Sequence, residues 1–197
     1  MTDTPQLTML YCYLTQGCNL ACRHCWLKPK LDPDGTRFPV MNPELLASVI
    51  AEARPLGLQS IKLTGGEPLL NPKIHEFLAL IRDAELGLVV ETNGVLATPA
   101  LAQDIAACKT PFVSVSLDGP NAETHERIRG VKGCFDQACD GIRNLISAGL
   151  APQIIMTVMR DNIEQIDAII GLAEGLGCGS VKFNVVQPTA RGDELHV

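Results

Sequence analysis

The strongest constraint on the fold of this chain is an alternation. Short runs rich in apolar and branched residues take turns with stretches whose apolar residues recur every three to four positions. The runs cover residues 7–14, 60–64, 86–91, 112–117, 153–159 and 181–186. Between them, Asn42-Pro43, Asn71-Pro72 and Thr98-Pro99 each offer a capping side chain and a proline for the first helical turn. A fourth helix is expected over 135–148, stopped by Gly149, and a fifth after Asn162 and Gln165, which stand at capping-box spacing, ended by Gly177. No hairpin signal joins successive strands. The order therefore demands parallel strands linked by right-handed crossovers. The first run, 7–14, is almost continuously apolar, as a strand buried on both faces should be. A doubly wound sheet and an open barrel share this period, and in both the ligands gather at the C-terminal ends of the strands.

The chain has 197 residues, 46% of them hydrophobic, which suits one domain over 1–197 with a full core. The sixth strand is followed by no helix, so its apolar flank is expected to lie open. This reads as the N-terminal core of a longer protein or as a truncated product. Sixteen basic against 22 acidic residues give a net charge of −6, without the footprint of a nucleic-acid binder. There is no basic run for a membrane surface and no apolar run of spanning length. Met1-Thr2-Asp3-Thr4-Pro5 is polar and unlike an export signal. Eight cysteines without such a signal, three of them clustered, fit a metal site in a reducing cytosol better than a disulfide framework.

The cluster is Cys18, Cys22 and Cys25, spaced C-x3-C-x2-C just after the first strand. Thiolates so close suit a soft metal centre. Four would close a tetrahedral zinc or iron–sulfur site; three leave a cubane cluster with one iron open to a non-protein ligand. A zinc knuckle completed by His24 or Cys12 is the alternative, and three buried structural cysteines the plain one. The remaining cysteines, Cys12, Cys108, Cys134, Cys139 and Cys178, are scattered and read as ordinary core residues. Other candidate stretches stand at strand ends: Gly65-Gly66-Glu67-Pro68, Thr92-Asn93-Gly94 and Ser116-Leu117-Asp118-Gly119. Two glycines permit close backbone approach to a ligand, and Ser116 and Asp118 share a face because the strand period is two.

C-x3-C-x2-C after one strand and Gly-Gly-Glu-Pro after the next resembles the radical S-adenosylmethionine (SAM) enzymes. Ser116 to Pro120 and His125 to Gly130 are most similar to the subgroup that modifies peptides and proteins and often carries a C-terminal SPASM domain, none of which follows Gly192. The resemblance implies a partial (βα)6 TIM-like barrel, α/β with parallel strands and truncated after the sixth, holding a [4Fe–4S] cluster on Cys18, Cys22 and Cys25. SAM would chelate the open iron. By the same resemblance His24 lies beside adenine. Gly65, Gly66, Glu67 and Pro68 meet the SAM amino group, with Thr92 and Asn93 near the methionine. Ser116 and Asp118 reach ribose or carboxylate, and Val186 and Gln187 pack on adenine. Arg129 is implied as the carboxylate's ligand, touching no thiolate, with Arg127 as fallback; a planar fork suits that task. The barrel interior should be apolar apart from these contacts. The implied reaction is reductive SAM cleavage and hydrogen-atom abstraction, fed by an electron donor such as a flavodoxin or ferredoxin. The expected substrate is a ribosomally made peptide or protein, or else a porphyrin or other small cofactor precursor. A non-catalytic zinc or iron–sulfur module is the reading of another class.

Overall fold

The computed structural model describes residues 6–193 and Leu195; Met1-Thr2-Asp3-Thr4-Pro5, read above as unlike an export signal, lies outside them. The elements run β1 (Met9–Tyr13), β2 (Gly17–Cys18), β3 (Lys30–Leu31), α1 (Pro43–Ala53), β4 (Ser60–Thr64), α2 (Ile74–Asp83) and β5 (Gly87–Thr92). Then come α3 (Pro99–Ala106), β6 (Lys109–Ser116), α4 (Ala122–Arg129), α5 (Cys134–Ser147), β7 (Gln153–Val158), α6 (Ile166–Leu176) and β8 (Ser180–Val185). A six-stranded sheet has the order β1-β4-β5-β6-β7-β8, and each neighbouring pair is parallel. Spatial order thus follows chain order without reversal. A doubly wound sheet must reverse at a switch point, so the fold is the open barrel. β2 and β3 form a separate short parallel ribbon at the rim. Among the described residues no helix is long and apolar enough to cross a membrane.

The pleat sorts the side chains. On one face Ile61, Leu63, Leu88, Val90, Val115 and Ile154 are fully buried, in one cluster with Leu46, Phe77, Ile81, Ile105 and Ile142 of the helices. Each such side chain contributes about 1.5–3 kcal/mol by leaving water. Helix starts are fixed as their sequences require: Asn42 accepts from the Glu44 amide and Thr98 from the Leu101 amide, each ahead of a proline.

The other face differs from expectation. β1 is shorter than the apolar run and buries one side only, since Tyr11 and Tyr13 alternate outward from the core and are exposed. The concave interior is polar rather than apolar. Lys62, Thr64, Glu91, Ser116, Thr157 and Asn184 occupy the inward positions, and the Lys62 ammonium sits 2.5 Å from Glu91 Oε1 and 4.9 Å from the Tyr11 ring centre. Most of the strands' Leu, Ile and Val lie on the helix-facing side, and the inner side holds mainly residues that tolerate water, with Ile155 among them. On β8, Val181 packs on the core while Phe183 and Val185 remain exposed.

Two local readings are corrected. α4 carries few apolar residues, so no stripe announced it; its signals are Asn121, which caps the Thr124 amide at 3.0 Å, and Gly130 in the left-handed region. The capping box at Asn162 does not form. Asn162 Oδ1 accepts from the Met159 amide and its Nδ2 donates to the carbonyls of Asp118 and Thr157. The buried Met159 amide takes the oxygen that would have capped the helix. Gln165 instead donates to Thr124 Oγ1.

Candidate active site

The C-terminal ends of the strands open into one cleft. Cys18, Cys22, Cys25 and His24 line it from the loop after β1, Gly65, Gly66 and Glu67 from the loop after β4, and Thr92 and Asn93 from β5. Ser116 of β6 and Arg129 of α4 close the far wall. Most of the residues read from sequence are therefore brought together, although they come from five separate elements.

The cysteine loop is stitched down on both sides. The amides of Ala21 and Arg23 donate to the carbonyls of Arg129 and Ile128, so the last turn of α4 brackets Cys22. On the other side Gly66 N donates to Thr15 O and Glu67 N to Gly17 O. A Cβ on Gly66 would lie 1.9 Å from Gly17 O. The close approach that this glycine permits is thus to the chain's own cysteine loop, rather than to a ligand. Asp32, fully buried, adds a third tie: its amide donates to Cys18 O, and its carboxylate accepts from the amides of Thr36 and Arg37.

Glu67 is enclosed. Its carboxylate accepts from the Leu69 amide, from Thr92 Oγ1 at 2.6 Å and from the Asn93 amide at 2.8 Å. It clamps the Gly-Gly-Glu turn to the end of β5, and burial pushes its carboxyl upward against those bonds. Pro68 opens the short turn beneath it and does not reach the cleft. Asn93 Nδ2 donates to Asn19 Oδ1 at 2.7 Å, which ties β5 to the cysteine loop.

Asp118 is the hub of the far wall, with no exposed side-chain surface. Its Oδ1 accepts from the Thr157 amide at 2.9 Å, and its Oδ2 lies 2.7 Å from His24 Nε2 and 2.7 Å from Arg129 Nε. The last contact is an ion pair without an aligned N–H, which leaves Arg129 Nε formally unbonded. Burial alone would raise the Asp118 carboxyl, but Arg129 and then His24 hold it well below the usual carboxylate range. Asp118 stands behind the cleft wall, not in it. His24 is likewise no exposed loop histidine, for its ring is spent on Asp118. Arg129 Nη1 donates to Cys22 Sγ at 3.5 Å, so this arginine does touch a thiolate, contrary to expectation. Arg127 is turned away, donating to Asp161 O.

Val186 and Gln187 do not join the site. Val186 packs with Ile128 and Met159, and Gln187 Nε2 donates to Val185 O at the surface. Asn184 takes the place on β8, and Thr64, Glu91, Ile155 and Thr157 complete the inner wall. Sequence reading passed over these residues. Counting by twos along each strand would have found them, since all face inward, from the level of Ser114 to that of Thr157.

The donor set suits an iron–sulfur cluster better than a single ion. Among the described residues no three Cys, His, Asp or Glu side chains converge on one metal position. A cubane spreads its ligands over separate irons. Of the proposed fourth zinc ligands, Cys12 lies in the helix-facing core, and His24, whose Nε2 meets Asp118, does not converge with the cysteines on one metal position. Burial, with the Glu67 charge, pushes the Cys18 thiol up to about 12, and burial raises that of Cys22 against the pull of Arg129. Thiols so reluctant to ionise alone are thiolates when a metal binds. Cys108 and Cys139 are buried and unpaired away from this set, whereas Cys134 is buried in the same cluster as Cys18 and Cys22, with Cys25 packed against it.

Comparison with known proteins agrees with this geometry. The family model of the radical SAM superfamily matches residues 12–173. The AdoMet-dependent heme synthase of Methanosarcina barkeri is 37% identical over 195 residues, covering 98% of this chain and 54% of its own. The mycofactocin maturase MftC of Mycolicibacterium smegmatis is 34% identical over 189 residues, covering 93% and 46%. The chain thus spans about half the length of these curated relatives. Among solved structures, Streptococcus suis SuiB bound to precursor peptide SuiA superposes with a TM-score of 0.79 at 17% identity, covering 94% of this chain and 40% of that one. anSMEcpe with bound AdoMet gives 0.74 at 20% identity, covering 93% and 50%. Members of the family work with a [4Fe–4S] cluster and SAM. On the sequence match, the fold and the residues gathered in the cleft, this chain belongs to the radical SAM superfamily.

Proposed function

We propose that this chain is the catalytic core of an enzyme that cleaves SAM reductively and uses the resulting radical to take a hydrogen atom from an unactivated C–H bond. The observation that carries the reading is the single cleft in which three cysteines, the Gly-Gly-Glu turn, Thr92-Asn93, Ser116 and Arg129 meet. Cys18, Cys22 and Cys25 hold the cluster, which when bound supplies the one electron that breaks the sulfonium bond. The chain's own residues bind and orient. Carbonyls of the turn at Gly65 and Gly66 face the SAM amino group, and Glu67 sets that turn against β5. Ser116 offers a hydroxyl to the ribose or carboxylate. Arg129 lines the cleft with its charge fixed by Asp118, and it is the arginine that can meet the carboxylate, because Arg127 points elsewhere. The fused loops around Cys22 exclude water from the cluster side.

Two substrate classes fit. A ribosomally made peptide or protein is supported by MftC, named a maturase, at 34% identity. A porphyrin or similar precursor is supported by the heme synthases, with 37% identity over 98% of this chain. The polar concave face with its Lys62–Glu91 pair would meet polar groups of either. An electron donor of the flavodoxin or ferredoxin kind, and a cytoplasmic setting, belong to the same reading.

The test is made on protein purified without oxygen. About four irons and four sulfides per chain and a brown colour are expected, with 5′-deoxyadenosine formed from SAM on adding a reductant. Arg129→Ala should weaken SAM binding by about ten- to a hundred-fold, as loss of a charge-assisted hydrogen bond implies. A colourless zinc protein would end the proposal in favour of a binding module. Incubation with candidate peptides and with iron porphyrins, followed by mass spectrometry, then separates the substrate classes.

A further inference from the structure

We propose that Arg129 also tunes the metal centre, as a charged donor to the thiolate of Cys22, and that Asp118 is the positioning residue that holds it there. The inference rests on the cluster assigned to this cleft. Two sulfurs of the triad meet different donors: Cys18 Sγ accepts from the Leu20 amide at 3.4 Å, a neutral group, whereas Cys22 Sγ accepts from the Arg129 guanidinium at 3.5 Å. Arg129 is 6% exposed, so neither water nor salt screens its charge effectively. Cluster potentials follow net charge and hydrogen bonds to sulfur. Uptake of one electron adds negative charge, and a buried cation beside a ligand sulfur favours that state. Asp118 opposes this from further off, since it meets Nε rather than the sulfur.

Arg129 has no freedom to leave. Asp118 Oδ2 engages Nε, while Oδ1 is anchored on the β7 amide of Thr157. The Asp118 amide donates to His125 Nδ1, and its carbonyl accepts from Asn162 Nδ2. The same Oδ2 holds His24, which stands between Cys22 and Cys25 in the chain. One carboxylate therefore fixes both the donor and the loop that carries the ligands. The backbone repeats the link, because Ala21 and Arg23 are bonded to the carbonyls of Arg129 and Ile128. A merely structural arginine would need the Asp118 pair alone. The Nη1 contact with sulfur is what gives this one a redox task.

The experiment is a reductive titration of the loaded full chain, without SAM, followed by electron paramagnetic resonance with a low-potential chemical reductant as the electron source. Parent, Arg129→Lys and the charge-balanced pair Asp118→Asn with Arg129→Gln are compared. All should hold the same iron and sulfide. In the pair, reduction should become about tenfold less favourable, a fall of about 59 mV for a one-electron couple. Arg129→Lys should fall by less, since an ammonium keeps the charge but cannot span Asp118 and Cys22 together. An iron-replete pair with the parent's potential overturns the inference and leaves the cluster intact. Should the pair fail to load, an Arg129→Lys potential equal to the parent's overturns it, and a lower one supports it. A parent without iron ends the cluster reading and this inference with it.

Discussion

The two faces of the same six strands are built on opposite rules. On the helix side, Leu63, Val90, Val115 and Met156 are fully buried in a continuous apolar core. On the concave side, the same strands present Thr64, Glu91, Ser116 and Thr157 to an open cleft. Neighbours one residue apart thus serve stability and chemistry separately. Loss of an outer residue leaves a cavity that the packed helices cannot fill. Loss of an inner residue leaves a site that water can enter. Such a division lets a scaffold keep its fold while its inner residues are tuned for a ligand.

Four measurements would break or sharpen this contrast. The largest effect belongs to the cysteines. Cys22→Ala should abolish the iron content of anaerobically prepared protein, while Cys108→Ala, behind the sheet, should keep it; full iron in Cys22→Ala would undo the assignment. Next is the outer face. Leu88→Ala should cost about 2–5 kcal/mol in urea unfolding, with SAM affinity of the folded fraction unchanged. A near-neutral result would mean that the core is not where stability resides.

The third concerns acid, at the joint between the faces. His125 is buried beneath the Asp118 amide, and burial, with Arg129, brings its pKa from 6.5 down to about 3. As pH falls through 6.5 the unfolded chain gains a proton that the folded one refuses until about 3, so stability should decline across that window. Asp118, held below the carboxylate range, adds its own loss only at still lower pH, where the unfolded carboxyl protonates first. His125→Asn, which preserves an acceptor for the Asp118 amide, should flatten the slope of urea midpoint against pH between 7 and about 4. An equal slope would remove His125 from the account. The smallest effect is on the concave face. Lys62→Met should change stability by less than about 1 kcal/mol, because the pair with Glu91 is partly solvated. A larger loss would show that the inner face also carries the fold.

Local chemistry wrote much of this protein into its sequence. The apolar period sorted strands from helices, the Asn-Pro and Thr-Pro steps marked helix starts, Gly177 stopped α6, and three cysteines within eight residues named a metal loop. These are short-range facts, and short range is what a sequence displays. Tertiary structure decided the rest. Strand order alone chose the barrel over the doubly wound sheet. The pairing of His24 with Asp118, 94 residues apart, and of Cys22 with Arg129, 107 apart, turned a presumed ligand into a buried hub and gave the arginine a thiolate partner. α4 escaped notice because its buried face is Thr124, His125, Ile128 and Arg129, which form no apolar stripe. Val186 yielded its place to Asn184 because β8 ends at Val185, and Val186, just past it, turns to pack with Ile128 and Met159. Periodicity shows that a residue points inward. Which distant segment it meets there is set by how the whole chain closes.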